Sequence, residues 1–551
     1  MGLFDRFRAP KTPAAIRDPG AHVAAHRLKT LIAHMRRGDG GASAAYSGGG
    51  YGTGQGQLEG WNPGLGDADA DQLRDLPYLR AYSRDLARNS PIACGAVETQ
   101  LSHIVGTGLT LQSRIDADAL GLSDEEASSW QRNTERWFRL WAGSTLSDAM
   151  GQLDFYEQQN LAERSKVESG DSFIVLASIE RPGWPFRLAL QIVEADRVSN
   201  PNYAQDKPTL VQGIEKSSTG EPIAAHVADR HPGRMLTDSR PVTWQRVQFR
   251  TSSGRRLILQ HMRRLRPGQT RGIPELAPII EPLKQMTRYS EAEIAAAVSS
   301  ATLAIFTKMD HKAFQELFDD DDQEIILDRA RAWDGKTTPN RAVNLLPGEE
   351  IETAVMNRPN PNFGPFMAEY MTMIGMALGI PYEVLTRKFQ SSFSAARAAL
   401  LDAWRGFRIR RDLLVSRVCQ PVYEEWLADA VALGIISAPG FFADPMTRAA
   451  WSAATWAGDG PGAIDPEKEA NGAKARMDAG LTTLPEEIVA YDGGDWETKH
   501  REQVRVAKAR KEGGLTADPK PAPAPGGQQP GQAQPASQPG RQPDNPQPTT
   551  P

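Results

Sequence analysis

A chain of 551 residues with a formal charge of −5 is long enough for several domains with sizeable cores, and its charge argues against a protein that coats nucleic acid by bulk attraction. Two cysteines, Cys94 and Cys419, are too few for a disulfide framework; both sit among apolar neighbours and are expected in cores, in a reducing compartment. No apolar run reaches the roughly 18 residues of a membrane span, and MGLFDRFRAPKTP lacks a secretory h-region and carries Arg6 where myristoylation needs Ser or Thr. A soluble intracellular protein without membrane contact is expected.

Residues 1–60 read as an arm. His22, His26 and His34 lack the Cys or Glu companion of a zinc site, so no metal is expected there. The tract GDGGASAAYSGGGYGTGQGQLEG has neither the preceding strand nor the following helix of a dinucleotide fingerprint, and reads as a flexible linker. Order resumes at Trp61. Asp71 is expected to cap a helix carrying Leu73, Leu76, Leu79 and Leu86. Asn89-Ser90-Pro91 starts a second, with Ile92, Ala96, Val97, Leu101 and Ile104 on one face. Gly106-Thr107-Gly108 ends it, and Leu109 and Leu111 open a strand. Ser123 and Glu126 form a capping box for a helix whose Trp130, Trp137 and Trp141 lie on one stripe, a core signature. Another helix covers Phe155 to Glu168. From Gly170 the apolar period changes to two. DSFIVLASIE, FRLALQIVEADRV, PTLVQGIEKS, PIAAHVADR, VTWQRVQFR and RRLILQHM are candidate strands, with turns at Ser217–Gly220 and Ser252–Gly254. Residues 170–262 therefore form an antiparallel β-rich unit.

The stretch Leu265–Thr307 organises the chain. It opens on turn signals at Pro267-Gly268 and Gly272-Ile273-Pro274, then predicts a helix from Pro282 to Leu303, about 33 Å long at 1.5 Å per residue. Ala304–Lys308 is extended. The acidic run holding Glu316, Asp319 to Asp322, Glu324 and Asp328 lacks the EF-hand spacing and reads as a solvated face. Residues 333–362 are loop-rich. A Met-rich helix covers Phe363–Leu378, a loop with two basic residues covers Thr386–Ser394, and Ser394 caps a long helix bent at Pro421. One side of that helix carries Arg397, Arg405, Arg408, Arg410, Arg411 and Arg417. Residues 437–483 are turn-rich, 484–511 hold one or two helices, and a Pro/Gln-rich disordered tail follows.

No GxxxxGK[ST], HExxH, CxxC or GxSxG pattern is present. No catalytic residue, cofactor site or metal site is therefore expected, and the pattern points to an assembly protein rather than an enzyme. Arg255, Arg256, Arg263, Arg264, Arg266 and Arg271 crowd the end of the β region, either as solvent-exposed strand charge with interprotomer ion pairs or as phosphate contacts.

Three segments carry a resemblance: RDLARNSPIACGAVETQLSHIVGTGLTLQSRID, HMRRLRPGQTRGIPELAPIIEPLKQMTRYSEAEIAAA and GIPYEVLTRKFQSSFSAARAALLDAW. In content, order and spacing they resemble tailed-phage portal proteins of the lambda type over roughly residues 61–480. The resemblance implies an α+β portal fold with a β-rich wing, long stem helices, a clip and a helical crown, assembled as a dodecameric ring at one capsid vertex. It implies a head–tail connector whose channel passes double-stranded DNA during packaging and ejection. The implied partners are the terminase large subunit, major capsid and scaffold proteins, and head-completion or tail adaptor proteins. The implied location is the virion, with the host cytoplasm during assembly.

On this pattern residues 1–60 are an arm, 61–262 the wing, 263–345 stem and clip, 346–434 the tunnel loop and long helix, 435–515 the crown and 516–551 a tail. Arg387 and Lys388 are expected to reach phosphates in the channel, with Gln390, Ser391 and Ser392 offering neutral hydrogen bonds. Arg263, Arg264, Arg266 and Arg271 are candidate phosphate or interprotomer contacts. The alternative is another structural head–tail adaptor, or a scaffold-type protein without a channel.

Overall fold

The computed structural model describes residues 65–301, 305–309, 349–353, 360–389, 393–460, 466–492, 494 and 496–513. Gln390, Ser391, Ser392, the histidines at 22, 26 and 34 and the acidic run 316–328 lie outside them. The chain divides into two compact units, residues 1–466 and 467–551.

The first unit begins with α1 (Ala68–Gln72), α2 (Leu76–Asn89) and α3 (Pro91–Ile104). Asp67, not Asp71, caps α1, accepting from the Ala70 N–H at 2.8 Å, and the expected single helix is broken between α1 and α2. Ser90 caps α3. Cys94 lies exposed on α3, contrary to the expected core position, whereas Cys419 is buried. Next come β1 (Thr110–Ser113), α4 (Ala117–Leu120), α5 (Asp124–Ala142), opened by the Ser123/Glu126 capping box, and α6 (Phe155–Ser169). The aromatic stripe of α5 does enter the core. Phe138 is ringed by Trp141, Phe155, Tyr423, Trp426 and Trp456, and Trp130 and Trp137 pack at its edge.

The alternating segments form seven strands: β2 (Asp171–Ser178), β3 (Leu188–Val193), β4 (Leu210–Val211), β5 (Ile214–Lys216), β6 (Pro222–Ala228), β7 (Trp244–Gln248) and β8 (Ile258–Met262). They pair antiparallel in two sheets, β3-β2-β8 and β4-β5-β6-β7, with the expected turns joining β5 to β6 and β7 to β8. The long helix α7 (Ile280–Ala301) follows, with Pro282 in its first turn, where proline is tolerated. Its Leu283 and Met286 are buried, but Ile294 and Val298 are 61% and 64% exposed, so only its first half belongs to the core of the subunit.

Strand β9 (Ile305–Met309) pairs antiparallel with β10 (Glu349–Thr353), a strand inside the stretch expected to be loop. The Met-rich helix α8 (Phe363–Leu378) returns against α7, with Tyr289 stacked on Phe363 and edge-on to Phe366. Then come α9 (Tyr382–Thr386) and α10 (Phe393–Leu414). Ser394 lies inside α10 rather than capping it. A π turn at Val415–Cys419 joins α10 to α11 (Gln420–Ala432), so the expected irregularity sits immediately before Pro421. After α11, α12 (Pro445–Ser452) leads to β11 (Ala454–Ala457), which pairs with β1 and closes the unit. That strand falls in a stretch expected to consist of turns.

The second unit holds most of α13 (Pro466–Asp478), then α14 (Leu484–Asp492) and α15 (Trp496–Glu512). Arg476 forms a two-bond pair with Glu487, at 2.8 and 2.7 Å, which ties α13 to α14.

Candidate assembly surfaces and channel loop

The RPGQTRGIP segment is a staple. Gly268 turns the chain at a φ of 79°, in the left-handed region. The Gln269 amide then closes the loop on itself: its Oε1 accepts from the Leu265 N–H at 2.7 Å and its Nε2 donates to the Arg271 carbonyl at 2.8 Å. Thr270 bonds Asp69 of α1 through its N–H at 2.8 Å and through its hydroxyl. Gly272 lies against Gly170 so closely that an added Cβ would stand 1.9 Å from the Gly170 oxygen. The Glu275 N–H donates to the Val167 carbonyl at 2.9 Å, which docks the entry to α7 on the end of α6.

Arg271 sits at the centre of this staple and is fully buried. Its Nε and Nη2 donate to both oxygens of Asp171, at 2.6 and 3.2 Å, and its remaining donors reach the carbonyls of Ala195, Val198 and Gln212 at 2.6–2.8 Å. Arg80 approaches Asp171 from α2 at 2.9 Å. Burial pushes the Asp171 carboxyl up. The two guanidiniums and the Gly272 N–H outweigh it and hold the group below the usual carboxylate range. Burial, and then the charge of Arg271, lower Arg80 to about 10. Arg271 thus has no donor left for a phosphate or a neighbouring subunit, which corrects its sequence assignment. Arg266 is exposed but bonded to Asp71 at 2.7 Å. Arg263 and Arg264 are exposed and form no ion pair among the described residues.

A second buried ionic group went unforeseen. Glu163, Lys166, His261 and Glu275 meet where α6, β8 and the staple converge, with Lys166 Nζ at 2.6 Å from Glu163 and 2.8 Å from Glu275, and His261 Nε2 at 2.7 Å from Glu163. Arg410 of α10 stands 3.4 Å from Glu275 and donates to the Leu378 carbonyl at the end of α8. Burial lowers His261, with the Glu163 charge opposing it. The available signal was two charged residues, Glu163 and Lys166, on the inward face of a helix whose Ala162 and Val167 are core.

The channel-loop candidates follow α9. Arg387 ends that helix in the left-handed region, at a φ of 56°, and Arg387, Lys388 and Phe389 are all exposed. The base of the loop is fixed. Gly379 caps α8, and a Cβ on Gly375 would stand 2.3 Å from the Ile380 carbonyl oxygen. On α10, Arg411 donates to the carbonyls of His103 and Ile104 at 2.8 and 2.9 Å, capping α3. The expected basic face of that helix is therefore split: Arg410 and Arg411 hold the subunit together, while Arg405, Arg408 and Arg417 face outward.

Among the described residues, Glu194, Asp196 and His231 bring ligand-type atoms together. The Arg84 guanidinium already bridges both carboxylates, and His231 Nδ1 accepts from the Gly233 N–H at 2.9 Å. A cation would have to displace Arg84, so these residues do not fit a metal centre. No helix among the described residues is long and apolar enough to cross a membrane.

The chain is 27% identical over 491 residues to portal protein B of Escherichia phage lambda, covering 86% of this chain and 91% of that protein. The portal protein of Escherichia phage N15 matches with the same identity and coverage. Among solved structures, the C12-symmetric neck of a native gene transfer agent particle covers 76% of this chain and 94% of its own, at 12% identity and a TM-score of 0.41. The C6 neck of the empty particle gives 0.40. The assignment rests on sequence, where the family described as phage portal protein, lambda family, matches residues 54–411. The chain belongs to the lambda family of phage portal proteins.

Proposed function

We propose that this chain is the connector subunit at one capsid vertex: a structural protein without catalytic activity of its own, assembling as a dodecameric ring whose channel passes double-stranded DNA inward during packaging and outward during ejection. The observation that carries this reading is the family match over residues 54–411, which spans α1 to α9, most of α10, strands β1 to β10 and the candidate loop. The ring would dock the terminase large subunit and later head-completion or tail adaptor proteins, and would contact major capsid and scaffold proteins during assembly in the host cytoplasm. The wing is assigned to residues 61–262, stem and clip to 263–345, tunnel loop and long helix to 346–434, and crown to 435–515.

Negative-stain microscopy of the purified chain together with its native mass should give rings with a hole wide enough for a duplex. Purified virions should contain about as many copies as one ring. Absence from virions, or abundance like that of a capsid protein, would overturn the assignment. Arg387 and Lys388 support a channel contact because they are exposed on a loop with a fixed base. Changing both to Ala should leave rings intact and lower the yield or length of packaged DNA. Unchanged packaging would refute the loop assignment.

A further inference from the structure

Where β8 meets the π turn the surface opens into a trough. Two clefts of 670 and 540 Å³ share Gln260, Arg264, Ser416 and Arg417 and so run into one another. Ile409 and Ile223, 71% and 40% exposed, are among the residues lining it, and the exposed carboxylate of Asp412 lies on one wall. Arg263, Arg264 and Arg417 are exposed along the rim and form no ion pair among the described residues. A phosphate backbone would meet the arginines but also the Asp412 carboxylate and the exposed Ile223 and Ile409. A protein surface with both carboxylates and apolar side chains fits the arginines and the apolar walls.

The same unit carries a surface of that kind. At the corner of α4 and α5, Asp118, Asp124 and Glu125 are exposed and form no ion pair among the described residues. The Asp116 N–H donates to the Ala450 carbonyl of α12 at 3.2 Å, which joins that helix to the acidic corner, and Met446 on α12 and Phe442 just before it are 77% and 63% exposed. Position in a first helical turn accounts for the acids in an isolated subunit, but not for the large exposed apolar side chains on and before α12.

We propose that the trough receives the acidic corner of a second copy of this chain, Arg263, Arg264 and Arg417 facing Asp118, Asp124 and Glu125 around an apolar centre. The two surfaces share no residue, so the contact is heterologous, and repetition closes a ring when the rotation fits. The inference rests on the ring reading and adds the residues that set its contact. Its charge pairs lie at an exposed rim and are screened by salt, so assembly should weaken as ionic strength rises.

The test uses the full chain, native mass spectrometry and negative stain. Arg263→Glu with Arg264→Glu should lower the ring fraction at least tenfold at low salt, and so should Asp124→Lys with Glu125→Lys. Equal mixtures of the two variants, or the four substitutions in one chain, should restore rings. All four side chains are exposed, so unchanged thermal melting shows that folding is intact, and Arg417→Glu repeats the trough arm independently. Rings that persist in both trough variants, or no rescue on combination, overturn the contact while leaving the ring reading standing. A wild-type chain that forms no ring under any condition overturns the ring reading and this contact with it.

Discussion

Arg271 offers the sharpest test of how the staple works. Substituting Arg271→Lys keeps a positive charge near Asp171 but removes the planar fork, which now serves both carboxylate oxygens and three backbone carbonyls. Lysine can satisfy at most part of that set, leaving at least one buried carbonyl unpaired at about 1–3 kcal/mol, on top of a weakened buried ion pair. Complete loss of the partner in a buried pair costs about 3–5 kcal/mol, so roughly 3 kcal/mol is expected for the lysine variant. At about 2.1 cal/mol/K per residue, a unit of this length shifts by roughly 1 °C per kcal/mol. Differential scanning calorimetry should therefore show a Tm about 3 °C lower. Arg263→Ala, from the same basic cluster but exposed and unpaired among the described residues, should move it by less than about 1 °C. Equal, small effects from the two variants would refute the division of this cluster into structural and surface arginines.

Four further outcomes follow from the structure. His261 is held below its ordinary pKa by burial, so the unfolded chain takes up a proton first as the pH falls through about 6.5. Stability should decline from there toward the folded pKa, and His261→Gln should lose that part of the slope in Tm measured from pH 7.5 to 5; identical slopes would refute it. The carboxylates of Asp171, Asp196 and Glu275 are held below their usual range, so their contribution is present above about pH 4 and is lost as the pH falls further. Gly272→Ala places a Cβ on the Gly170 backbone and should abolish soluble expression or cost more than about 3 kcal/mol; a normal melting curve would contradict the close approach. Ser123→Ala removes one half of the α5 capping box and should cost about 1 kcal/mol in urea unfolding, with no change in m-value.

The sequence was most readable where one local rule dominated. The capping box at Ser123, the aromatic stripe of α5, the alternation of residues 171–262 and the glycine stop at Gly379 each depend on neighbours a few residues away. Strands β10 and β11 were missed because each is short and is completed by a distant partner, β11 by residues some 340 positions earlier. The same limit governed the charges. Arg263, Arg264, Arg266 and Arg271 look alike in sequence, yet only the approach of β2 and α2 around Arg271 makes it interior. Cys94 was misplaced because apolar neighbours on α3 turn inward while residue 94 turns out.

The π turn between α10 and α11 has a consequence for how the two helices are phased. Phe407, on one side of it, and Trp426, on the other, are both buried in the same core although they belong to one nearly continuous helical rod. Each residue advances an α-helix by about 100°, so the extra residue of a π turn resets the azimuth of everything downstream by about that angle. Removing one residue from Val415–Cys419 would restore regular winding and rotate Trp426 and Tyr423 away from Phe138. The irregularity acts as a vernier: it lets one half of the rod follow α3 and α9 while the other half keeps its aromatic face on the core.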